Sequence, residues 1–293
     1  MSRSLRTALS AVLIALSCLL VPFGALAAWV AYGLTDTGRY VTTMAPLASD
    51  PAVRDAVADT VGDGVAREAG VNPLFIRDAV RSFTSTRAYR TAWDAGNEAA
   101  HTAVMRALQD ERAGHDDDPV TVDLATVTTP LRHQMTIDHV PFADRVPVAH
   151  TRVDLLPPHE LAALRKGYHV LDVAGFWLPL AAVVFAVTGI AVAACRRRAI
   201  TATALGTALG GAFLGLAVAI GRRLTLADLP DPSHRPAAAA VYDALTTTLR
   251  TTSWLLLTLG LTVAAMTWLT RRRPRARPAP TPAPPPEPTR VRV

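Results

Sequence analysis

Trp93, Asn97 and His101 recur every four residues, a spacing that on a helix sets an indole, an amide and an imidazole along one strip. Such a strip could hold a polar ligand. With an acid partner opposite, His101 and Asn97 could also take part in proton transfer. The same three residues could instead form the edge of a helix docked against the strands, with Asn97 and His101 hydrogen-bonded to neighbouring backbone. No carboxylate at a recognisable spacing partners His101, and that favours docking over catalysis.

The other histidines are His115, His133, His139, His150, His159, His169 and His234, and all eight lie outside the long apolar runs. None forms an i, i+4 pair on a clear helix, and no HExxH pattern is present, so no metal site is predicted. Asp116, Asp117 and Asp118 could offer oxygen ligands to Ca²⁺. They lack the glycine and distal glutamate of a helix-loop-helix calcium site and are read as a solvated loop. There is no nucleophile elbow, glycine-rich phosphate loop or paired catalytic carboxylates, so no catalytic residue and no cofactor is assigned.

What must position these side chains follows from charge. Half of the 293 residues are apolar and only 18% are charged, below the roughly 25% of a soluble chain. No charged side chain occurs between Arg6 and Asp36, Asp172 and Arg196, Arg198 and Arg222, or Arg250 and Arg271. Each interval reaches the length of about 20 residues that a helix needs to cross a bilayer. Four spans follow. Arg3 and Arg6, then Arg196, Arg197 and Arg198, then Arg271, Arg272 and Arg273 flank them on one side. The positive-inside rule puts that side, with both termini, in the cytoplasm, and the arginines become membrane anchors. Arg222 and Arg223 fall on the far side, against the rule. Ala25-Leu26-Ala27 also permits a cleaved leader, but apolar sequence runs on to Leu34 and suits an uncleaved anchor.

The expected organisation is an N-terminal tail and first span over 1–34, an extracytoplasmic domain over 35–171, a second span over 172–195 and a cytoplasmic turn at 196–198. A third span covers 199–221, an external loop 222–250, a fourth span 251–270 and a basic, proline-rich disordered tail 271–293. Cys18 and Cys195 both lie in spans, so the exported domain has no disulfide and must hold by packing. That domain carries 19 acidic and 14 basic residues, which argues against nucleic acid as a partner.

Asp50-Pro51 and Asn72-Pro73 are helix starts, each an N-cap followed by proline, and Gly70 is a stop. Val53, Val57, Val61 and Val65 repeat every four residues along the first helix. A longer helix is expected from Ser85 to Glu111 and a short one from Val127 to Ile137. Two strand-like pieces cover Val120–Leu124 and Arg145–Leu156, and Pro157-Pro158 opens a helix running into the second span. Gly206, Gly210, Gly211 and Gly215 form two overlapping small-xxx-small patterns, a helix-packing face. The fold class is mainly α: a four-helix transmembrane bundle with a mostly helical extracytoplasmic domain containing two short strand-like segments.

The chain resembles a family of uncharacterised actinobacterial four-helix membrane proteins with one exported domain after the first span. The resemblance rests on Asp50-Pro51-Ala52-Val53, Phe83 with Trp93, Asn97 and His101, Val122-Asp123-Leu124, Trp177-Leu178-Pro179 and Arg196-Arg197-Arg198. It implies architecture and source, and no activity. The interiors of the four spans contain no Asp, Glu, His, Lys or Arg, which argues against a proton-coupled transporter. The leading expectation is a non-enzymatic plasma-membrane protein whose residues 35–171 bind or assemble an envelope protein or polymer. An envelope enzyme using the Asn97/His101 face is the alternative, and an accessory subunit of a transport complex the second.

Overall fold

The computed structural model describes residues 3–70, 72–109, 120–123, 125–137, 152–156 and 158–272. In chain order they form α1 (Arg3–Trp29), prolonged by a π-helical turn Val30–Leu34, α2 (Thr37–Met44) and a 3₁₀ turn Ala45–Ser49. These are followed by α3 (Pro51–Ala69), α4 (Pro73–Thr84), α5 (Arg87–Gln109), β1 (Val120–Asp123), α6 (Ala125–Ile137) and β2 (Arg152–Leu156). Three long helices, α7 (Pro158–Val192), α8 (Arg196–Ala227) and α9 (Arg235–Arg272), complete the described chain, with a 3₁₀ turn Pro232–His234 before α9. The fold is mainly α.

Four helical stretches are long and apolar enough to cross a membrane: Arg3–Leu34, Leu164–Val192, Arg196–Ala227 and Pro232–Thr270. α1 packs along α7, α8 packs along α9, and α1 against α8 joins the two pairs. Their surfaces are arranged for a lipid solvent. Bulky side chains such as Leu19, Phe23, Phe176, Val187, Leu209, Phe213 and Leu259 point outward, while Ser10, Ser17, Ala27, Ala204, Ala208, Gly210 and Gly211 are inside. Lipid tails are as apolar as leucine, so burying leucine would gain little; close backbone approach and interhelical hydrogen bonds hold such helices instead. Ser10 Oγ donates to the Gly189 carbonyl at 2.7 Å and Ser17 Oγ to that of Ala182 at 2.8 Å, binding α1 to α7. Ser253 Oγ donates to the Gly211 carbonyl at 2.8 Å and Tyr242 Oη to that of Val218 at 2.9 Å, binding α9 to α8.

The glycine pattern on α8 divides between two neighbours. A Cβ on Gly206 would overlap Cys18 Sγ, and one on Gly210 would stand 3.3 Å from Pro22 Cδ, both on α1. A Cβ on Gly211 would lie 2.8 Å from the Ser253 carbonyl oxygen and one on Gly215 2.6 Å from Ser253 Oγ, both on α9. One tetrad of small residues therefore seats two different helices of the same chain.

Helix boundaries depart from the charge-based reading. The break between α7 and α8 lies at Ala193–Cys195, and Arg196, Arg197 and Arg198 are the exposed first turn of α8 rather than a turn between spans. The expected external loop over 222–250 is mostly helix: α8 continues to Ala227 and α9 begins at Arg235. Charge marks where water begins, and arginine is a good helix former, so a helix can continue past that point. With about 1.5 Å per residue, α9 is ~57 Å long against ~30 Å of hydrocarbon, and much of it stands outside.

The extramembrane part is built on that overhang. Met44, Leu47 and Val53 form its buried centre, with Tyr40, Val57 and Trp93 packed beside them. From α9, Ala237, Ala240, Val241, Ala244 and Leu245 complete the cluster. One turn further along α9, Leu249 packs with Leu214 and Val218 in the bundle. A single helix belongs to both cores.

Local signals position the rest. Asp50 Oδ1 accepts from Ala52 and Val53 N at 2.9 and 3.3 Å, Asn72 Oδ1 accepts from Leu74 N at 2.9 Å, and Gly70 ends α3 with φ +66°. α3 and α4 form a hairpin crossed by two sets of ion pairs. Arg77 donates to both carboxylate oxygens of Asp63 at 2.7 and 2.6 Å, and Arg81 pairs with Asp55 at 3.0 Å. The valine repeat of α3 is only half buried: Val53 is 4% exposed, whereas Val61 and Val65 are 46% and 44% exposed. Only the first part of α3 reaches the core; beyond it the helix packs mainly on α4. α5 and α6 begin within two residues of the expected Ser85 and Val127. β1 and β2 run antiparallel, with Val122 opposite Val153. Residues 145–151 of the second strand-like piece and the tail from 273 lie outside the described residues.

Candidate functional site

The strip on α5 has a definite structural task, with α2 and the end of the first span as its bonding partners in place of the expected strands. An α-helix leaves its last carbonyl groups without partners inside the helix. His101 Nε2 lies 2.8 Å from the Leu34 carbonyl oxygen at the end of the first span. A carbonyl can only accept, so Nε2 carries a proton; in the neutral ring Nδ1 then accepts from Thr37 Oγ1 at 3.0 Å. The imidazole also stacks on Tyr40, with ring centroids 4.3 Å apart and planes inclined by 23°. Trp93 Nε1 donates to the Met44 carbonyl at 3.0 Å, at the other end of α2. Between them Asn97 Nδ2 donates back to the Trp93 carbonyl at 2.8 Å, within its own helix.

Arginines extend the same device. Arg54 Nε donates to the Ala48 carbonyl at 3.0 Å, and Arg165 reaches the Ala107 carbonyl with Nη2 at 2.7 Å and Nε at 3.1 Å. Each ties the end of one element to another. This capping role was not legible in the sequence, because a donor and the carbonyl it serves are up to 67 residues apart.

Two concavities flank the strip. A groove of 420 Å³ opens between α3, α4 and α5, lined by Val57, Val61, Val80, Phe83, Tyr89 and Trp93 among others. Its surface is almost entirely apolar, and the Tyr89 hydroxyl beside it is buried without a hydrogen-bond partner among the described residues. Burial raises the Tyr89 phenol above its ordinary pKa, so it stays neutral. A larger cavity of 770 Å³ lies between α2 and α9, with Trp29, Asp36, Arg39, Tyr40 and Thr43 on its wall. There Asp36 Oδ1 accepts from Arg39 N at 2.8 Å as the N-cap of α2, and Thr43 Oγ1 donates to the Arg39 carbonyl at 2.8 Å. Asp36 and Thr43 are thus engaged by the helix that carries them. Desolvation raises the carboxyl of Asp94, next to Trp93, above its ordinary value.

The remaining histidines are scattered. His133 and His169 are exposed, and His234 lies 3.4 Å from Thr60 and 4.0 Å from Asp231. His115, His139, His150 and the Asp116–Asp118 triplet fall outside the described residues, and the side chain of His159 is likewise not described. Among the described residues no three His, Cys, Asp or Glu side chains gather as a metal-ligand set. The chain matches no known protein family, no curated protein and no solved structure.

Proposed function

We propose that this chain is a non-enzymatic multi-pass protein of the plasma membrane that offers its helical domain as a binding or assembly surface to another envelope protein. The observation that carries the reading is the contrast on α5. The polar side chains of the strip bond within the chain, while the concavity beside them is open and apolar. Apolar concavities with few polar groups recognise shape and apolar side chains. The enzyme alternative on Asn97 and His101 is weakened because both imidazole nitrogens and the Asn97 amide already have partners. The arginines near Met1, at 196–198 and after the fourth span support a cytoplasmic placement of both termini, with the domain outside. An actinobacterial source belongs to the same proposal, through the resemblance noted above.

The test is photo-crosslinking in cells through a benzophenone amino acid placed at Val61 in the full chain. The expected result is a discrete adduct with one envelope protein, lost on Phe83→Asp while the protein still accumulates in the membrane. The reading fails if no adduct forms at Val61, or if Phe83→Asp leaves it unchanged.

A further inference from the structure

Arg222 and Arg223 sit on the side of the membrane that basic residues avoid under the positive-inside rule, and the structure shows what surrounds them. A second groove, of 520 Å³, runs between α8 and α9 below the helical domain. Arg222, Arg223 and Arg250 border its upper end. Asp243 accepts from Arg222 Nε and Nη2 at 2.9 and 3.1 Å and from Arg250 Nη2, so one carboxylate fixes two guanidiniums in place. Arg223 has no ion-pair partner among the described residues. Three positive charges against one negative leave the mouth of the groove with an excess of two.

Below the arginines the lining becomes apolar. Ala212 and Ala219, both exposed on α8, leave a trough where larger side chains would stand, and Ser253, Trp254 and Leu257 on α9 form its wall, Ser253 Oγ being turned to the Gly211 carbonyl. From Arg222 to Ala212 the helix rises about 15 Å, half of the ~30 Å hydrocarbon thickness and therefore the depth of one leaflet. Trp254, 66% exposed, stands between the charged and apolar ends, as tryptophans do at membrane interfaces.

We propose that this groove binds an anionic phospholipid of the leaflet on the domain side, its phosphate on Arg223 and the fixed pair Arg222–Arg250 and one acyl chain in the trough over Ala212 and Ala219. Guanidinium groups suit phosphate through paired hydrogen bonds, and basic pockets between membrane helices suit anionic headgroups. A soluble anion would use the arginines but not the trough. A neutral lipid would use the trough but not the charge. The two halves in line select a ligand with both. This inference is independent of the docking groove on the domain.

The test is a titration of the full-length protein in a neutral detergent, following thermal unfolding with phosphatidylglycerol, phosphatidylcholine or inorganic phosphate. Phosphatidylglycerol should raise the melting temperature in a saturable way, and the other two should not. Arg223→Gln leaves the Asp243 pairs intact; it should keep the lipid-free melting temperature and weaken the apparent phosphatidylglycerol affinity about tenfold, the loss expected for one charged contact. Ala219→Leu, at an exposed position, should weaken it as well by filling the trough. The proposal is overturned if phosphatidylcholine stabilises equally, if inorganic phosphate reproduces the shift, or if both variants bind phosphatidylglycerol like the wild type. Absence of any shift with phosphatidylglycerol overturns it too.

Discussion

Trp93 and His101, eight residues apart on α5, hold the two ends of α2: Trp93 Nε1 donates to the Met44 carbonyl at 3.0 Å and His101 Nδ1 accepts from Thr37 Oγ1 at 3.0 Å, while His101 Nε2 donates to the Leu34 carbonyl just before α2 at 2.8 Å. Eight helical residues rise about 12 Å, and α2 is itself eight residues long. The spacing on one helix thus matches the length of the other. Through Leu34 the grip extends to the end of the first span, so domain and bundle are joined by specific bonds as well as by chain continuity.

His101→Ala should destabilise the protein by about 3 kcal/mol, from two hydrogen bonds of roughly 1 kcal/mol each together with roughly 1 kcal/mol of lost Tyr40 stacking. His101→Gln, which keeps a donor, should recover part of that loss. Unfolding of the full chain in detergent measures both. An unaltered His101→Ala protein would sink the clamp.

The glycines of α8 should respond according to their neighbours. Gly206→Ala presses on Cys18 and should cost about 1–3 kcal/mol, the usual range for overpacking. Cys18→Ala in the same chain should restore only part of it, because Cys18 Cβ would still lie 2.9 Å from the new methyl. Full additivity of the two single changes would show that the residues do not touch.

α3 offers a pair of glycines with opposite expectations. Gly64 lies inside the helix with nothing within 4 Å of an added Cβ, so Gly64→Ala should stabilise by up to about 1 kcal/mol. Gly70 has φ +66°, and Gly70→Ala should destabilise by about 1 kcal/mol. Parallel melting curves decide the signs, and equal signs would contradict the cap geometry.

The α3–α4 hairpin should weaken in acid. The Arg77 hydrogen bonds hold the Asp63 carboxyl below its ordinary pKa. Its stabilising contribution is therefore complete above the unfolded value, about 3.9, and is lost as pH falls through the depressed folded value. Asp94 acts in the opposite sense: desolvation raises its pKa, so its neutral form favours the folded state and that contribution is lost as pH rises through the raised value. Asp63→Asn should flatten the acid limb of hairpin protection measured by hydrogen exchange. If the limb is unchanged, the Asp63–Arg77 pair does not govern it.

Much of this was legible in the sequence for a simple reason. Crossing a bilayer demands a long stretch free of charge, and starting or ending a helix demands a cap, so Asp50, Asn72 and Gly70 and the four apolar runs declare themselves locally. The small-residue pattern at Gly206, Gly210, Gly211 and Gly215 announced close packing, but could not say that its halves meet α1 and α9 separately. The α3–α4 ion pairs left a trace, with Asp55, Asp59 and Asp63 spaced by four and Arg77 and Arg81 likewise, although only the hairpin opposes them. His101 on Leu34, Trp93 on Met44, and the passage of α9 through two cores were decided by tertiary structure. Each joins groups distant in the chain, and no local pattern records which carbonyl a remote donor will find.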